Sequence, residues 1–206
     1  MSKPQVAMRT RPPAKAVRPR VLVKTFKSPE EWGKWLAQHH ARADGVWLRF
    51  FKKESGVRSL THAEALDEAL CWGWIDGQAR PSDARSWLQR YTPRRPRSGW
   101  SKRNREHVAR LEREGRMKPS GREQVDAAKK DGRWDRAYDS PANIEVPEDF
   151  LRTLRRHKGA LGFFESLNRA NVYAICYRLQ TARTPATRQR RFELLLKLMK
   201  DRQKLH

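Results

Sequence analysis

Tryptophan and arginine side chains are concentrated in residues 69–104 and could together hold a ligand. Four of the eight tryptophans lie there: Trp72, Trp74, Trp87 and Trp100. Indole rings supply a large apolar area and one N–H donor each, whereas guanidinium groups stack on rings and donate paired hydrogen bonds. This combination can bind an anion or a planar ring. The alternative for each tryptophan is ordinary core packing beneath a charged rim.

The predicted ligand site joins these aromatic and basic residues to nearby polar groups. Ser101 is expected to cap a helix whose free amide N–H groups would suit a phosphate, sulfate or carboxylate. Asp76 is expected to pair with an arginine, and the alternatives are a turn-forming role and catalysis by this carboxylate. The predicted ligand-binding residues are Trp72, Trp74, Asp76, Arg90, Tyr91, Arg94, Trp100, Ser101, Asn104 and Arg116.

Standard catalytic, metal and nucleotide motifs do not accompany these residues. The chain contains neither a GxxxxGK[ST] loop nor a GxGxxG loop. Cys71 and Cys176 lack metal-ligand spacing, and we expect no disulfide between them. The adjacent His39 and His40 point to different faces of a predicted helix. The sequence therefore predicts no cofactor and no metal, and it leaves open whether the protein is an enzyme.

Capping and periodicity signals predict the elements that must position the site. Strand formers occupy residues 46–53, and residues 74–92 predict a hairpin that turns at Pro81–Asp83. Ser28 and Thr61 are each followed three residues later by a glutamate, which predicts a helix opened by a capping box. Further helices are predicted from Ser101 to about Glu114 and from about Pro119 to Lys130.

The predicted fold class is α+β, with a small antiparallel sheet packed against helices, followed by a helical C-terminal part. Apolar residues recur at helical spacing after Pro147 and indicate that these helices pack together as a bundle. The predicted organisation is a disordered basic arm over residues 1–27, an α+β body with the cleft over 28–138, a linker over 139–146, and a helical region over 147–206.

Charge predicts an affinity for anions. The chain has 46 Lys and Arg against 23 Asp and Glu, a formal net charge of +23. Residues 1–27 contain eight basic residues, four prolines and no acidic residue, which predicts a flexible arm. Residues 90–122 hold twelve basic and three acidic residues. Nucleic acid is therefore a possible partner through this segment, although no standard nucleic-acid-binding motif is present.

No apolar run has the length of a secretory signal or a membrane span, so we expect a soluble, cytoplasmic protein without a transmembrane segment. The residues alone do not indicate an oligomeric state.

Several ordered segments resemble one known family. They are ALCWGWIDG at 69–77, RYTPRR at 90–95, SGWSKRN at 98–104, GRMKPSG at 115–121, DGRW at 131–134 and TARTPATRQRR at 181–191. Together they resemble the YdeI/OmpD-associated family, also called bacteriocin-protection proteins, over roughly residues 28–200. The resemblance implies a role in envelope or antimicrobial-peptide stress tolerance and supplies no catalytic residues.

The favoured function is thus a binding protein of the bacteriocin-protection type that holds a small anionic or aromatic ligand in a tryptophan and arginine cleft. The alternatives are nucleic-acid binding through the basic surface of residues 90–122 and an uncharacterised enzyme that uses Asp76 with Arg90 or Arg94.

Overall fold

The structure, a computed structural model, describes residues 22–205. Within this range the chain forms eight α-helices and a four-stranded sheet, which confirms the predicted helix-rich α+β class. The strands are β1 (Val23–Lys24), β2 (Val46–Phe51), β3 (Trp74–Asp83) and β4 (Ser86–Pro93). The helices are α1 (Pro29–His39), α2 (His62–Cys71), α3 (Lys102–Arg113), α4 (Pro119–Lys130), α5 (Glu148–Arg155), α6 (Lys158–Glu165), α7 (Arg169–Gln180) and α8 (Pro185–Lys200).

The sheet is mixed, whereas the sequence predicted an antiparallel one. Its order is β1-β2-β4-β3, with β4 antiparallel to both neighbours and β1 parallel to β2. β1 corrects the predicted end of the arm, because residues 22–27 are attached to the body. The N–H of Trp47 donates to the carbonyl of Leu22 at 2.9 Å, and Phe26 packs on Trp32 with ring centroids 5.3 Å apart. Residues 1–21 of the predicted arm lie outside the described range.

The β3–β4 hairpin is present, but its turn lies at residues 84–85 and not at Pro81–Asp83. Asp83 fixes this turn by accepting hydrogen bonds from the N–H of Arg85 at 2.9 Å and the hydroxyl of Ser86 at 2.8 Å. Pro81 stays within the strand next to a register shift, where its missing N–H donor is tolerated.

The predicted helix starts are found, and their caps are satisfied by side chains. Thr61 and Glu64 form the complete capping box. At Ser28 only half of the box is present: the hydroxyl accepts from the N–H of Glu31, whose carboxylate accepts from the N–H of Lys27 instead. These caps fix the residues at which α1 and α2 begin.

Three groups of buried side chains hold the chain together. The first packs α1 and α2 on the sheet through Trp32, Trp74 and Tyr91, and the second joins α2, α3 and α4 around Trp100 and Leu111. A third group packs helices α5–α8 on one another, as predicted for the C-terminal bundle. Residues 139–147 between the body and this bundle contain no helix or strand. None of the helices among residues 22–205 is both long and apolar enough to cross a membrane.

Candidate anion-binding site

The structure does not bring the predicted site residues into one cleft. Trp74 and Tyr91 lie in the core between the sheet and α1, with 1% and 0% of their surface exposed. Trp100 is 1% exposed and belongs to the neighbouring core group around α3. Because these rings are enclosed by the core, they present no face to a ligand arriving from solvent.

The remaining predicted residues are dispersed around these cores. Ser101 and Asn104 are buried at the start of α3, where the serine hydroxyl accepts the N–H of Asn104 at 3.1 Å. Trp72 is half-buried against His40, and Arg90 is exposed on the sheet. Arg116 pairs with Glu68, with 2.5 Å between Nη2 and Oε1. Because Ser101 accepts the N–H of Asn104, the N-terminus of α3 already has a cap.

Asp76 has a different partner from the one expected. Its carboxylate lies 3.3 Å from Nε2 of His62, at the first position of α2, and both side chains are about one-third exposed, at 28% and 32%. The expectation of an arginine partner is therefore wrong. The hairpin carries Asp76 to the edge of the core, where its carboxylate meets the imidazole at the start of α2.

Arg94 is a buried cation held by an indole ring. Only 6% of it is exposed, and its guanidinium lies over the ring of Trp100 at 3.4 Å. One nitrogen donates to the carbonyl of Gly99 at 3.1 Å, whereas Nε has no hydrogen-bond partner among the described residues. Burial lowers the pKa of Arg94 to about 10. A buried guanidinium without a contacting carboxylate is unusual, because burying a charge is costly unless it is paired.

Beyond Gly99, a cleft of about 300 Å³ opens between the body and the C-terminal helices. We call it the junction cleft. Its lining contains five arginines, two tyrosines, and neither Asp nor Glu. The lining residues are Arg97, Gly99, Arg133, Arg136, Tyr138, Tyr177, Gln180, Thr181, Ala182, Arg183 and Arg191. Gly99 connects the cleft to the buried Arg94, because Gly99 lines the cleft and its carbonyl accepts a hydrogen bond from the Arg94 guanidinium.

Backbone contacts bring three separate segments to this cleft. Tyr138 donates its N–H to the carbonyl of Trp100 at 2.9 Å, and its own carbonyl accepts the N–H of Lys102 at 2.8 Å. Arg183, between α7 and α8, donates to the carbonyl of Arg97 at 2.8 Å. The loop before α3, the segment after α4 and the α7–α8 connection are thereby fixed around one space.

Arg97 has an unfavourable backbone conformation at the cleft. Its φ is 77°, in the left-handed region that non-glycine residues adopt at a cost. The turn is fixed on both sides, since Ser98 bonds the backbone of Arg95 through its N–H at 2.9 Å and its hydroxyl at 3.1 Å. Strained residues of this kind concentrate at functional sites.

The arginines of the cleft are oriented by hydrogen bonds while most of their charge stays unpaired. Arg133 contacts Asp131 at 2.6 Å and donates to the carbonyl of Ser98 at 2.9 Å. Arg136 and Arg191 donate to backbone carbonyls, at 3.0 Å and 2.6 Å. Among residues 22–205, Arg133 is the one cleft arginine within ion-pair distance of a carboxylate. The lining is therefore strongly positive.

The two tyrosines add aromatic surface and hydrogen-bonding hydroxyls. Tyr138 and Tyr177 meet edge to face, with ring centroids 4.9 Å apart. Burial raises the pKa of Tyr138 to about 12, so its phenol stays protonated and can donate a hydrogen bond to an anion at neutral pH.

Comparisons with known families match two separate regions of the chain, and both regions contribute residues to the junction cleft. Residues 24–124 match a domain of unknown function, DUF8412. Residues 143–202 match the family described as bacteriocin-protection, YdeI or OmpD-associated. Over this region the chain is similar to the bacteriocin-protection family. Comparisons with curated proteins and with solved structures gave no match.

The family match covers less of the chain than the predicted resemblance. It contains the segment TARTPATRQRR, whereas the four segments between residues 69 and 121 fall in the DUF8412 match. The junction cleft takes Arg97 from the DUF8412 region, Tyr177, Arg183 and Arg191 from the bacteriocin-protection region, and Arg133 from the interval between them. Sequence reasoning missed this site because its arginines meet only in the folded chain.

Proposed function

We propose that this protein binds a small anionic ligand in the junction cleft and acts through that ligand in tolerance of bacteriocins or related envelope stress, within the cytoplasm. The observation that carries the proposal is the convergence of five arginines from three chain segments on a lining without Asp or Glu. Guanidinium groups bind carboxylate and phosphate oxygens by paired hydrogen bonds, which supports an oxyanion as the ligand.

The size and composition of the cleft support a small ligand with a flat apolar part. Its volume of about 300 Å³ lies at the lower end of the range for small-molecule sites. The rings of Tyr138 and Tyr177 give apolar surface beside the arginines. A phosphate or carboxylate attached to a ring would use both parts of the lining, whereas a bare phosphate would use the arginines alone.

Calorimetric titration with inorganic phosphate and with phenyl phosphate, at about 150 mM salt, tests the proposal. We expect phenyl phosphate to bind more tightly than phosphate, because it also contacts the tyrosines. Replacing Arg136 and Arg183 together with Gln should weaken phenyl phosphate binding by about 100-fold or more, since each charge-assisted hydrogen bond contributes about 1.5–3 kcal/mol.

The matched control replaces Arg113 and Arg152 with Gln. Both are exposed, neither lines the cleft, and the same two charges are lost. Equal weakening by the two double variants would show that net charge, and not the cleft, attracts the anion.

The cellular part of the proposal has its own test. Expression of the protein in a bacteriocin-sensitive strain should raise survival, and the variant with Gln at positions 136 and 183 should lose this protection at the same protein level. If the variant protects as well as the native chain, the cleft has no part in tolerance, whatever its affinity for anions.

The enzyme alternative now rests on a different pair of residues. Asp76 contacts His62, which is an arrangement that can position a general base. The arginines expected to assist it are elsewhere, with Arg90 exposed on the sheet and Arg94 buried over Trp100. The structure therefore supports this alternative less than ligand binding.

A further inference from the structure

The face of the sheet directed away from the first core group is built from aromatic and basic residues. Along β2, buried residues alternate with half-buried ones, so Val46, Leu48 and Phe50 enter the core while the intervening side chains point the other way. These intervening residues are Trp47, Arg49 and Phe51. We call the surface that they form with their neighbours on β3 and β4 the outer sheet face.

The strand register identifies the other members of this face. On β4, Arg90 lies opposite Trp47 and Leu88 lies opposite Arg49. On the other side of Leu88, β3 places Arg80. Arg80 and Arg90 are both exposed. Val23 on β1, level with Trp47, is 39% exposed and extends the apolar surface beside the indole.

The charges on this face are available to a partner. The guanidinium of Arg80 lies 4.2 Å from the ring centre of Trp47. Arg49 pairs with Asp83 at 2.9 Å, whereas neither Arg80 nor Arg90 lies within ion-pair distance of a carboxylate in the described part of the chain. An indole beside two guanidinium groups without a carboxylate partner, on a half-exposed face of the sheet, has both components that a nucleic-acid strand requires.

We propose that the outer sheet face binds single-stranded nucleic acid. Bases stack on Trp47 and Phe51, and the phosphates contact Arg80 and Arg90. The two rings are four residues apart on one strand, about 13 Å, so different bases meet them. Aromatic side chains on a sheet, flanked by arginines, are a recurrent way to hold unpaired bases.

The geometry favours a single strand over the other polyanions that charge alone would attract. In a duplex the base faces are already stacked and cannot reach Trp47. Arginine can also stack on a base, so the Arg80 guanidinium over Trp47 can continue the stack and need not block it.

This face, which includes Arg90, also fits nucleic acid better than the rest of the basic segment of residues 90–122, where several charges are already used. Arg94 is buried, Arg110 pairs with Asp67 and Glu114, and Arg116 pairs with Glu68. The outer sheet face is separate from the junction cleft, and the proposal does not depend on anion binding there.

The test measures binding of the full chain to a fluorescently labelled single-stranded oligouridine and to a duplex of equal length, over a range of salt concentrations. We expect the single strand to bind more tightly than the duplex. Replacing Arg80 and Arg90 with Gln should lower the log–log salt slope by about 1.4, since each phosphate contact to a single strand contributes about 0.7.

Variants of Trp47 test stacking separately from charge. Trp47→Leu should weaken binding by about 5- to 100-fold, the equivalent of one lost base stack, while Trp47→Phe should keep most of the affinity because it keeps a ring. Thermal unfolding checks that each variant is folded. If Trp47→Leu does not fold, the phenylalanine variant and the arginine variants still decide the question.

The variant with Gln at positions 113 and 152 is the matched control, because it removes the same two charges from exposed residues outside both the outer sheet face and the junction cleft. The proposal is overturned if this control lowers the salt slope as much as the Arg80 and Arg90 variant, or if folded Trp47→Leu binds as tightly as the native chain. It is also overturned if the duplex binds at least as well as the single strand.

Discussion

Arg94 and Arg97 are three residues apart in the same loop and have opposite environments. Arg94 is 6% exposed and stacked on Trp100, with its charge held inside the body. Arg97 is exposed in a strained turn on the rim of the junction cleft. The difference shows that a run of arginines beside tryptophans does not define one site, because burial decides which guanidinium groups are available to a ligand.

The same contrast holds between two arginine–tryptophan pairs, Arg94 on Trp100 and Arg80 on Trp47. In the buried pair, Arg94 covers an indole that is itself 1% exposed, so the contact can act only on stability. In the outer pair, Arg80 lies over Trp47 on a half-exposed face of the sheet. A cation stacked on a ring contributes more when both groups are desolvated, which assigns the buried pair to folding and the outer pair to recognition.

The largest expected effect separates these two pairs. Trp100→Ala should lower the free energy of unfolding by about 3–5 kcal/mol, because it leaves a cavity in the second core group and exposes the buried charge of Arg94. Trp47→Ala, on the outer sheet face, should cost about 1 kcal/mol. Chemical denaturation measures both changes. Similar losses for the two tryptophans would contradict the assignment of one pair to folding and the other to recognition.

Alkaline pH should lower the stability of the folded chain through one group in the body and one in the cleft. The difference between their contributions should be smaller than the difference between the two tryptophan variants. Burial raises the pKa of Cys71 from 9.0 to about 12 and that of Tyr138 from 10.0 to about 12. In the unfolded chain these groups lose their protons near pH 9 and 10, while the folded chain retains them. The unfolded state then binds fewer protons, so stability falls as pH rises from about 9 to 12 and is fully present below that range.

Single variants measure how much Cys71 and Tyr138 each contribute to the alkaline loss of stability. Cys71→Ala should flatten the decline more than Tyr138→Phe, because the thiol is enclosed and its pKa difference is larger, each unit corresponding to at most about 1.4 kcal/mol. Denaturation at several pH values checks the order. A larger effect of Tyr138→Phe would mean that the cleft is less accessible to water than the body core.

The elements were largely predictable because their signals are local. Thr61 and Ser101 each cap a helix by accepting the backbone N–H three residues later, from Glu64 and from Asn104. Each signal therefore lies within four consecutive residues. The tripeptide Pro81–Asp83 also signals a turn, yet cross-strand pairing extends β3 through it. A local preference was overridden there by the register with β4.

The junction cleft was not predictable, because its residues are far apart in sequence. Arg97 and Arg183 are 86 positions apart and meet through one hydrogen bond. The segments DGRW and TARTPATRQRR contain arginines of the cleft, but nothing in either segment indicates the other as its neighbour. β1 was missed for a similar reason, since two residues pair only because β2 offers them an open edge.

A smaller effect is expected at Arg97, which is the exposed member of the Arg94 and Arg97 comparison and has the strained backbone. Arg97→Gly should leave stability unchanged or raise it by about 1 kcal/mol, because glycine adopts φ of 77° without steric cost but loses more backbone entropy on folding. Binding of phenyl phosphate should weaken several-fold. Arg95→Gly, in the same loop, is the control and should lower stability slightly without affecting the affinity. Unchanged binding by Arg97→Gly would remove Arg97 from the site.

The smallest effect is expected at Asp76, and it tests whether the buried Arg94 depends on a distant countercharge. Asp76 contacts His62 at 3.3 Å and is partly exposed, so Asp76→Ala should lower the free energy of unfolding by less than about 1 kcal/mol. Asp76 also acts on Arg94, raising its pKa against the larger opposing effect of burial. Double-mutant cycles with His62→Ala and with Arg94→Met measure the two couplings separately. A coupling to His62 and almost none to Arg94 is expected, because of these two side chains it is the imidazole that contacts the carboxylate. A coupling to Arg94 above about 2 kcal/mol would instead make Asp76 its countercharge, and the contrast between a buried arginine held by Trp100 and an exposed one left for ligands would no longer hold.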